Sequence, residues 1–294
     1  MRIAAVGLVL LVCGALTPTY AQYTDPNITF FYPLVTRRTV IERELEFQLN
    51  HTKGLDARET EATAAIEFPI LPRLQLELEV PFLFLNPDEG KAVAGFGDIE
   101  LQAKLQVFKS VQYRTLVAFG LESKLASGSA ARGLGGEYAI EPFLTAGIAL
   151  GPFDLIGEVA YEWILNGDEH PREQEFTARL AIGYPVSRWF TPLLELVAVT
   201  TTRGPADDEE GLLHKMQVYL VPGFNIRPRA GVTFRAGFQV PVTTAKAFDY
   251  QFLSALVVEF KRTHRDVYAT RAPTEGHPHA SEHARLVRGS RAHH

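Results

Sequence analysis

Charged side chains recur at every second position in several stretches of the chain: Glu42, Glu44 and Glu46; Glu77 and Glu79; Asp98 and Glu100; Glu122 and Lys124. A spacing of two puts such side chains on one face of a β-strand. If the strands curl around a common lumen, these carboxylates meet on one wall, with Lys104, Lys124, Arg179 and Arg235 as available partners. Unpaired carboxylates in a narrow space repel one another and take up protons. Either a salt-bridged interior or a hydrated, cation-attracting pore relieves that repulsion. Both outcomes stand open at this point.

Other chemistry is sparse. His277, His279 and His283 in HPHASEH have a spacing that can hold Zn²⁺ or Cu²⁺ through neutral imidazoles. Their low-complexity surroundings read instead as a solvated tail that binds metal adventitiously, so no metal and no other cofactor is expected. Ser254, His51, His170 and His214 could in principle supply a hydrolytic pair, but no Gly-x-Ser-x-Gly elbow accompanies them. The chain is therefore not expected to be an enzyme. With 29 Lys and Arg against 34 Asp and Glu, the net charge of −5 argues against nucleic acid as a partner.

The elements that would position these groups are strands. From Asp98 to Val107 polar residues (Asp98, Glu100, Gln102, Lys104, Gln106) alternate without a break with Ile99, Leu101, Ala103, Leu105 and Val107. Similar runs begin near Val40, Thr60, Leu74, Tyr113, Tyr138, Phe153, Gln174, Phe190, Lys215, Gly231 and Phe248, giving about twelve strands. Long polar loops, such as 53–59, 86–94 and 126–136, alternate with short turns at Pro72-Arg73 and Gly151-Pro152. Even strand number and alternating connection length are features of outer-membrane barrels. A β-sandwich has no reason to show the second. Most of the runs reach the roughly 9–11 residues that a tilted strand needs to cross a bilayer. Phe68, Phe108, Tyr113, Phe153, Tyr184, Trp189, Phe190, Phe224 and Phe260 gather at the short-turn ends, like an interfacial girdle.

The flanks fit an exported protein. Arg2, the apolar run Val6–Val12 and Thr19-Tyr20-Ala21 predict a signal peptide over residues 1–21, cleaved near Ala21. The single cysteine, Cys13, lies within it, so the mature chain has no thiol chemistry. Residues 22–37 read as an N-terminal periplasmic lead, 38–262 as the barrel, and 263–294 as a disordered tail rich in His and Arg. Mean hydropathy of −0.01 is compatible with strands that average an apolar and a polar face.

The run Gly95-Phe96-Gly97-Asp98 followed by alternation to Lys104 resembles a signature of the outer-membrane, transporter-like family named for the MetA pathway of phenol degradation. Leu74–Pro81, the loop Ser127–Gly136 and Tyr184-Pro185 are similar to that family too, and the likeness covers roughly Arg38 to Phe260. It implies a barrel passing small hydrophobic or aromatic solutes. The expected fold is all-β: a closed antiparallel transmembrane barrel of about twelve strands. The expected partners are outer-membrane lipid, the barrel-assembly machinery and a small solute, with both termini periplasmic. The alternative is a non-conducting structural or ligand-binding barrel with a salt-bridged lumen.

Overall fold

In the computed structural model, residues 28–166, 173–204 and 212–260 are described. The alternating runs form β1 (Glu44–Gly54), β2 (Ala57–Leu71), β3 (Leu74–Pro87), β4 (Val93–Phe96), β5 (Ile99–Ser110), β6 (Thr115–Leu125) and β7 (Tyr138–Leu150). They continue as β8 (Phe153–Asn166), β9 (Gln174–Gly183), β10 (Phe190–Arg203), β11 (Met216–Arg229), β12 (Val232–Pro241) and β13 (Phe248–Glu259). All pairings are antiparallel, and the ring closes because β1 pairs with both β2 and β13: Glu46 faces Ala65 on one side and Val257 on the other. Strands β4 and β5 both pair with β3, Phe96 opposite Phe82 and Leu101 opposite Leu78. They are two halves of one stave bent at Gly97-Asp98, so thirteen strands make a twelve-stave barrel. Closure gives every stave a partner on both sides, β4 alone of the thirteen strands pairing on one edge only, and closure is what a β-structure in lipid requires.

Some boundaries depart from the sequence reading. β1 starts at Glu44 rather than near Val40, because residues 40–43 still belong to the N-terminal segment. The expected loop over residues 53–59 is mostly strand: Lys53 pairs with Arg58, leaving Leu55-Asp56 as the connection. Polar residues at a barrel mouth can pair without an apolar period, so the alternation failed to mark this end. Part of the loop expected over 86–94 likewise folds back as β4. The signal segment and the His277, His279 and His283 tail lie outside the described residues.

The two faces of each strand differ as the alternation requires. Phe47, Leu49, Leu101, Leu105, Phe119, Leu121, Leu180, Leu196, Phe252 and Leu256 are all exposed on the outside. Their neighbours in sequence, among them Glu46, Gln102, Lys104 and Glu195, are buried on the inside. At the short-turn end, Phe153 packs 5.2 Å from Tyr184, and Trp189, Phe190, Phe224 and Phe234 form a chain of contacts across β10 to β12. At the opposite end Phe82 packs against Phe84 and Phe96, and Tyr161 against Trp163. Leu101→Arg puts a charge on the apolar outer band and is expected to cost about 2–4 kcal/mol near a bilayer midplane. Urea titration of the folded barrel in lipid vesicles measures it; an unchanged midpoint would mean that this face does not meet hydrocarbon.

Candidate functional site

The inside of the barrel is occupied. The segment from Ile28 to Arg43, ahead of β1, lies against the inner faces of the strands, with Phe30, Phe31 and Tyr32 almost wholly buried. Of the periplasmic lead expected over residues 22–37, the described part, Ile28 to Arg37, lies inside the barrel. Burying irregular backbone requires partners for its amides and carbonyls, and the strands supply them.

Glu195 of β10 is the main anchor. Its carboxylate accepts from the backbone N–H groups of Leu34, Val35 (3.3 Å) and Thr36 (2.9 Å), and from the Thr36 hydroxyl at 2.6 Å. On β11, the Asn225 side chain pairs with Tyr32 in both directions: the Tyr32 N–H donates to Oδ1, and Nδ2 donates to the Tyr32 carbonyl, each at 2.8 Å. On β12, Arg235 donates to the Pro33 carbonyl and to Glu46, tying the segment to β1.

Arg37 is the electrostatic centre. Its guanidinium reaches Glu158 at 2.6 Å, Glu122 at 2.7 Å and Glu141 at 2.6 Å, spanning β6, β7 and β8. Its own N–H donates to Glu158 at 2.6 Å, and the cation stands 4.6 Å over the Phe143 ring. Burial alone would lower the Arg37 pKa, but Glu122, Glu158 and Glu141 outweigh it and hold the group well above its ordinary value. Arg38 stacks 3.6 Å over the Tyr32 ring and pairs with Glu42. The Tyr32 hydroxyl sits 2.8 Å from Glu44 and 2.9 Å from Glu259.

The strands are shaped for this segment. A Cβ on Gly147 of β7 would stand 2.6 Å from the Phe30 ring and 2.9 Å from the Thr39 hydroxyl. A Cβ on Gly183 of β9 would overlap the Phe31 ring, and Cβ atoms on Gly223 and Gly237 would overlap Leu34. These glycines are sockets: their missing side chains are the space that Phe30, Phe31 and Leu34 fill.

The remaining charged residues singled out from sequence fall around this segment and beyond it. Glu42 precedes β1: its backbone N–H donates to Gln75 Oε1 at 2.7 Å, and its carboxylate pairs with Arg38. Glu77 accepts from Gln102, and Glu79 faces Glu100 across β3 and β5. Lys104 stands 3.8 Å from Glu67; Lys124 stands 3.9 Å from Glu100 and 3.7 Å from Glu162. Arg179 pairs with Glu158. Asp98 does not join this set: its carboxylate turns to the backbone of the loop after β6. Oxygens of Glu42, Glu44 and Glu67 come within 4.8 Å of one another, a grouping able to hold a cation, but Arg38 and Lys104 already bring positive charge to it.

Sequence reasoning did not single out Glu158, Glu195, Asn225 or Arg37. The available signal was a lone acidic residue inside an apolar run, Leu194-Glu195-Leu196 and Gly157-Glu158-Val159. Such a carboxylate on an inner face must find a donor.

No family model matches the chain, and no curated protein matches it. Solved structures do. The chain aligns with the NanC porin at 11% identity and a TM-score of 0.52, covering 74% of this chain and 100% of that one. The KdgM porin aligns at 10% identity with a TM-score of 0.50, covering 74% and 99%, and its complex with disordered oligogalacturonate aligns with a TM-score of 0.52. The fold is the closed antiparallel β-barrel that these porins have. At such identities the likeness is one of architecture, and the internal segment of this barrel has to be read from its own contacts.

Proposed function

We propose that the chain is an outer-membrane channel for small solutes whose lumen is closed at its short-turn end by its own N-terminal segment. The observation that carries this reading is the seating of Ile28 to Arg43 in sockets and on anchors inside a closed, porin-type barrel. The porin architecture supports passage, and the segment supports control over it. On this reading the signal peptide leaves near Ala21, lipid meets the outer apolar band, the barrel-assembly machinery inserts the chain, and both termini are periplasmic. The resemblance at Gly95–Lys104 to the MetA-pathway family favours hydrophobic or aromatic solutes.

Beyond the segment, Glu79, Glu100 and Glu162 line the solute path, with Lys124 among them. An acidic wall in a low-dielectric tube favours cations, most strongly where salt screens least. With the segment displaced, a KCl gradient across a planar bilayer should give a cation-selective reversal potential. It should shrink between about 0.1 M and 1 M salt as the Debye length falls from roughly 10 Å to 3 Å. Glu79→Gln with Glu100→Gln should weaken it further. Anion selectivity would contradict this assignment of the wall.

A second reading, a sealed structural barrel, has its own observation: Arg37 alone bridges three strands through Glu122, Glu141 and Glu158. It differs from the first in one respect. A sealed barrel does not conduct when the segment is removed.

A further inference from the structure

At the mouth opposite the N-terminal segment, the Gly95-Phe96-Gly97-Asp98 run meets a second internal feature. The connection between β6 and β7 folds onto the inner face of the β3–β4 hairpin. Inner and outer faces of that hairpin are fixed by pairing: Phe82 and Phe96 pack edge to face on the outside, while Leu83 and Gly95, the neighbouring pair, face inward. Leu134 of the connection is only 1% exposed, and a Cβ on Gly95 would stand 2.9 Å from it. A Cβ on Gly133 would touch Leu85, also on β3, at 3.7 Å.

What holds the connection there is Asp98. One carboxylate oxygen accepts from Gly128 N–H at 2.7 Å and Gly136 N–H at 2.9 Å; the other accepts from Gly136 at 2.8 Å and Glu137 at 3.0 Å. Amides from both ends of the loop thus converge on one side chain at the bend between β4 and β5. The glycines permit it: Gly135 and Gly136 have φ of 119° and 104°, and a Cβ on Gly135 would stand 2.6 Å from the Asp98 carboxylate. Two further ties lie beside it. Ser127 Oγ accepts from Ile99 N–H at 2.8 Å and donates to the Gly97 carbonyl at 3.3 Å, and Arg132 donates to the Ala94 carbonyl at 2.7 Å.

We propose that Asp98 is a positioning residue that latches the loop Ala126–Glu137 against the inner face of the β3–β4 hairpin and thereby narrows the long-loop mouth. Charge-assisted bonds to backbone amides are among the stronger hydrogen bonds a protein makes. Asparagine keeps the shape but offers one acceptor oxygen in place of two, and its NH₂ group faces amides that also donate. Leu134 then loses what holds it in place. That this mouth admits solutes rests on the channel reading above; the latch itself does not.

The test uses the full chain refolded in detergent, with heat-modifiable migration as the check that the barrel is formed. Leu134→Cys is labelled with a bulky maleimide, and Ala131→Cys, at an exposed position of the same loop, sets the rate for free access. In the otherwise unaltered chain Leu134→Cys should react at least about tenfold more slowly than Ala131→Cys, because labelling waits on local opening. Adding Asp98→Asn should bring the two rates together. Gly135→Val, which breaks the latch from the loop side both by crowding the carboxylate and by its φ of 119°, without altering a strand, should do the same and serves if Asp98→Asn does not fold. Equal labelling of Leu134→Cys with and without either change would overturn the latch. Conductance is read separately, in the Gly183→Ala background that displaces the N-terminal segment. There Asp98→Asn should increase single-channel current, and an unchanged current with faster labelling would overturn the narrowing of the mouth. No current from Gly183→Ala in any form would count against the channel reading, while labelling would still decide the latch.

Discussion

Gly183→Ala should open the barrel. The atoms nearest to a Cβ at this position all belong to the Phe31 ring of the N-terminal segment, so the added methyl strains the segment before it strains any strand. Gly147→Ala acts in the same way on Phe30 and Thr39. Overpacking of this kind costs about 1–3 kcal/mol, which is roughly a 5- to 150-fold shift in the occupancy of the socket. Planar-bilayer recordings should show open events that are rare in the parent chain becoming frequent, with heat-modifiable migration unchanged. Gly223→Ala and Gly237→Ala are less clean, because each Cβ would also stand 2.8 Å from a strand carbonyl, of Ala236 and Pro222 respectively. Those two should lower barrel stability as well. If Gly183→Ala and Gly147→Ala conduct no more than the parent, the segment does not govern passage.

Arg37→Ala should produce the largest loss of stability. Removing the guanidinium leaves Glu122, Glu141 and Glu158 facing one another, with Arg179 as the remaining partner of Glu158. Breaking a buried ion pair by removing one member costs about 3–5 kcal/mol, because the other charge stays buried and unpaired. Arg37→Lys should recover only part of it, since an ammonium is a point charge that cannot fork across three carboxylates. Urea unfolding in lipid vesicles, followed by loss of the folded gel band, measures both. A cost below about 1 kcal/mol for Arg37→Ala, the range of an exposed ion pair, would show that the cluster is hydrated rather than sealed.

The staves were legible because a strand with lipid on one side and polar groups on the other writes its faces into every second residue. Ile99 to Leu105 shows this without interruption. The mouths were less so: Lys53 and Arg58 pair although nothing apolar marks them. Alternation also says which side chains turn inward but not what fills the space they enclose. Glu195 meets Leu34 and Thr36 across about 160 residues of sequence, and no local pattern announces a contact of that range. Asp98 shows the same blindness at shorter range. Its place in the alternation puts it on the inner face with Glu100 and Gln102, yet its partners are amides that arrive 30 to 39 residues later. The clue that was present lay in small residues. Gly147, Gly183, Gly223 and Gly237 sit on inner faces, where a barrel filled only by its own side chains would favour larger ones.

The most direct test of the central claim is single-channel conductance of the parent chain against the same chain lacking Ile28 to Thr39, recorded in the same planar bilayer. Removing these residues takes away Phe30, Phe31, Tyr32, Leu34 and Arg37 and leaves β1 to β13 whole. The parent should be closed for most of the recording, and the shortened chain should show steady, stepwise, cation-selective current. A shortened chain that folds, by its heat-modifiable band, and carries no current would contradict the channel and establish a sealed barrel instead.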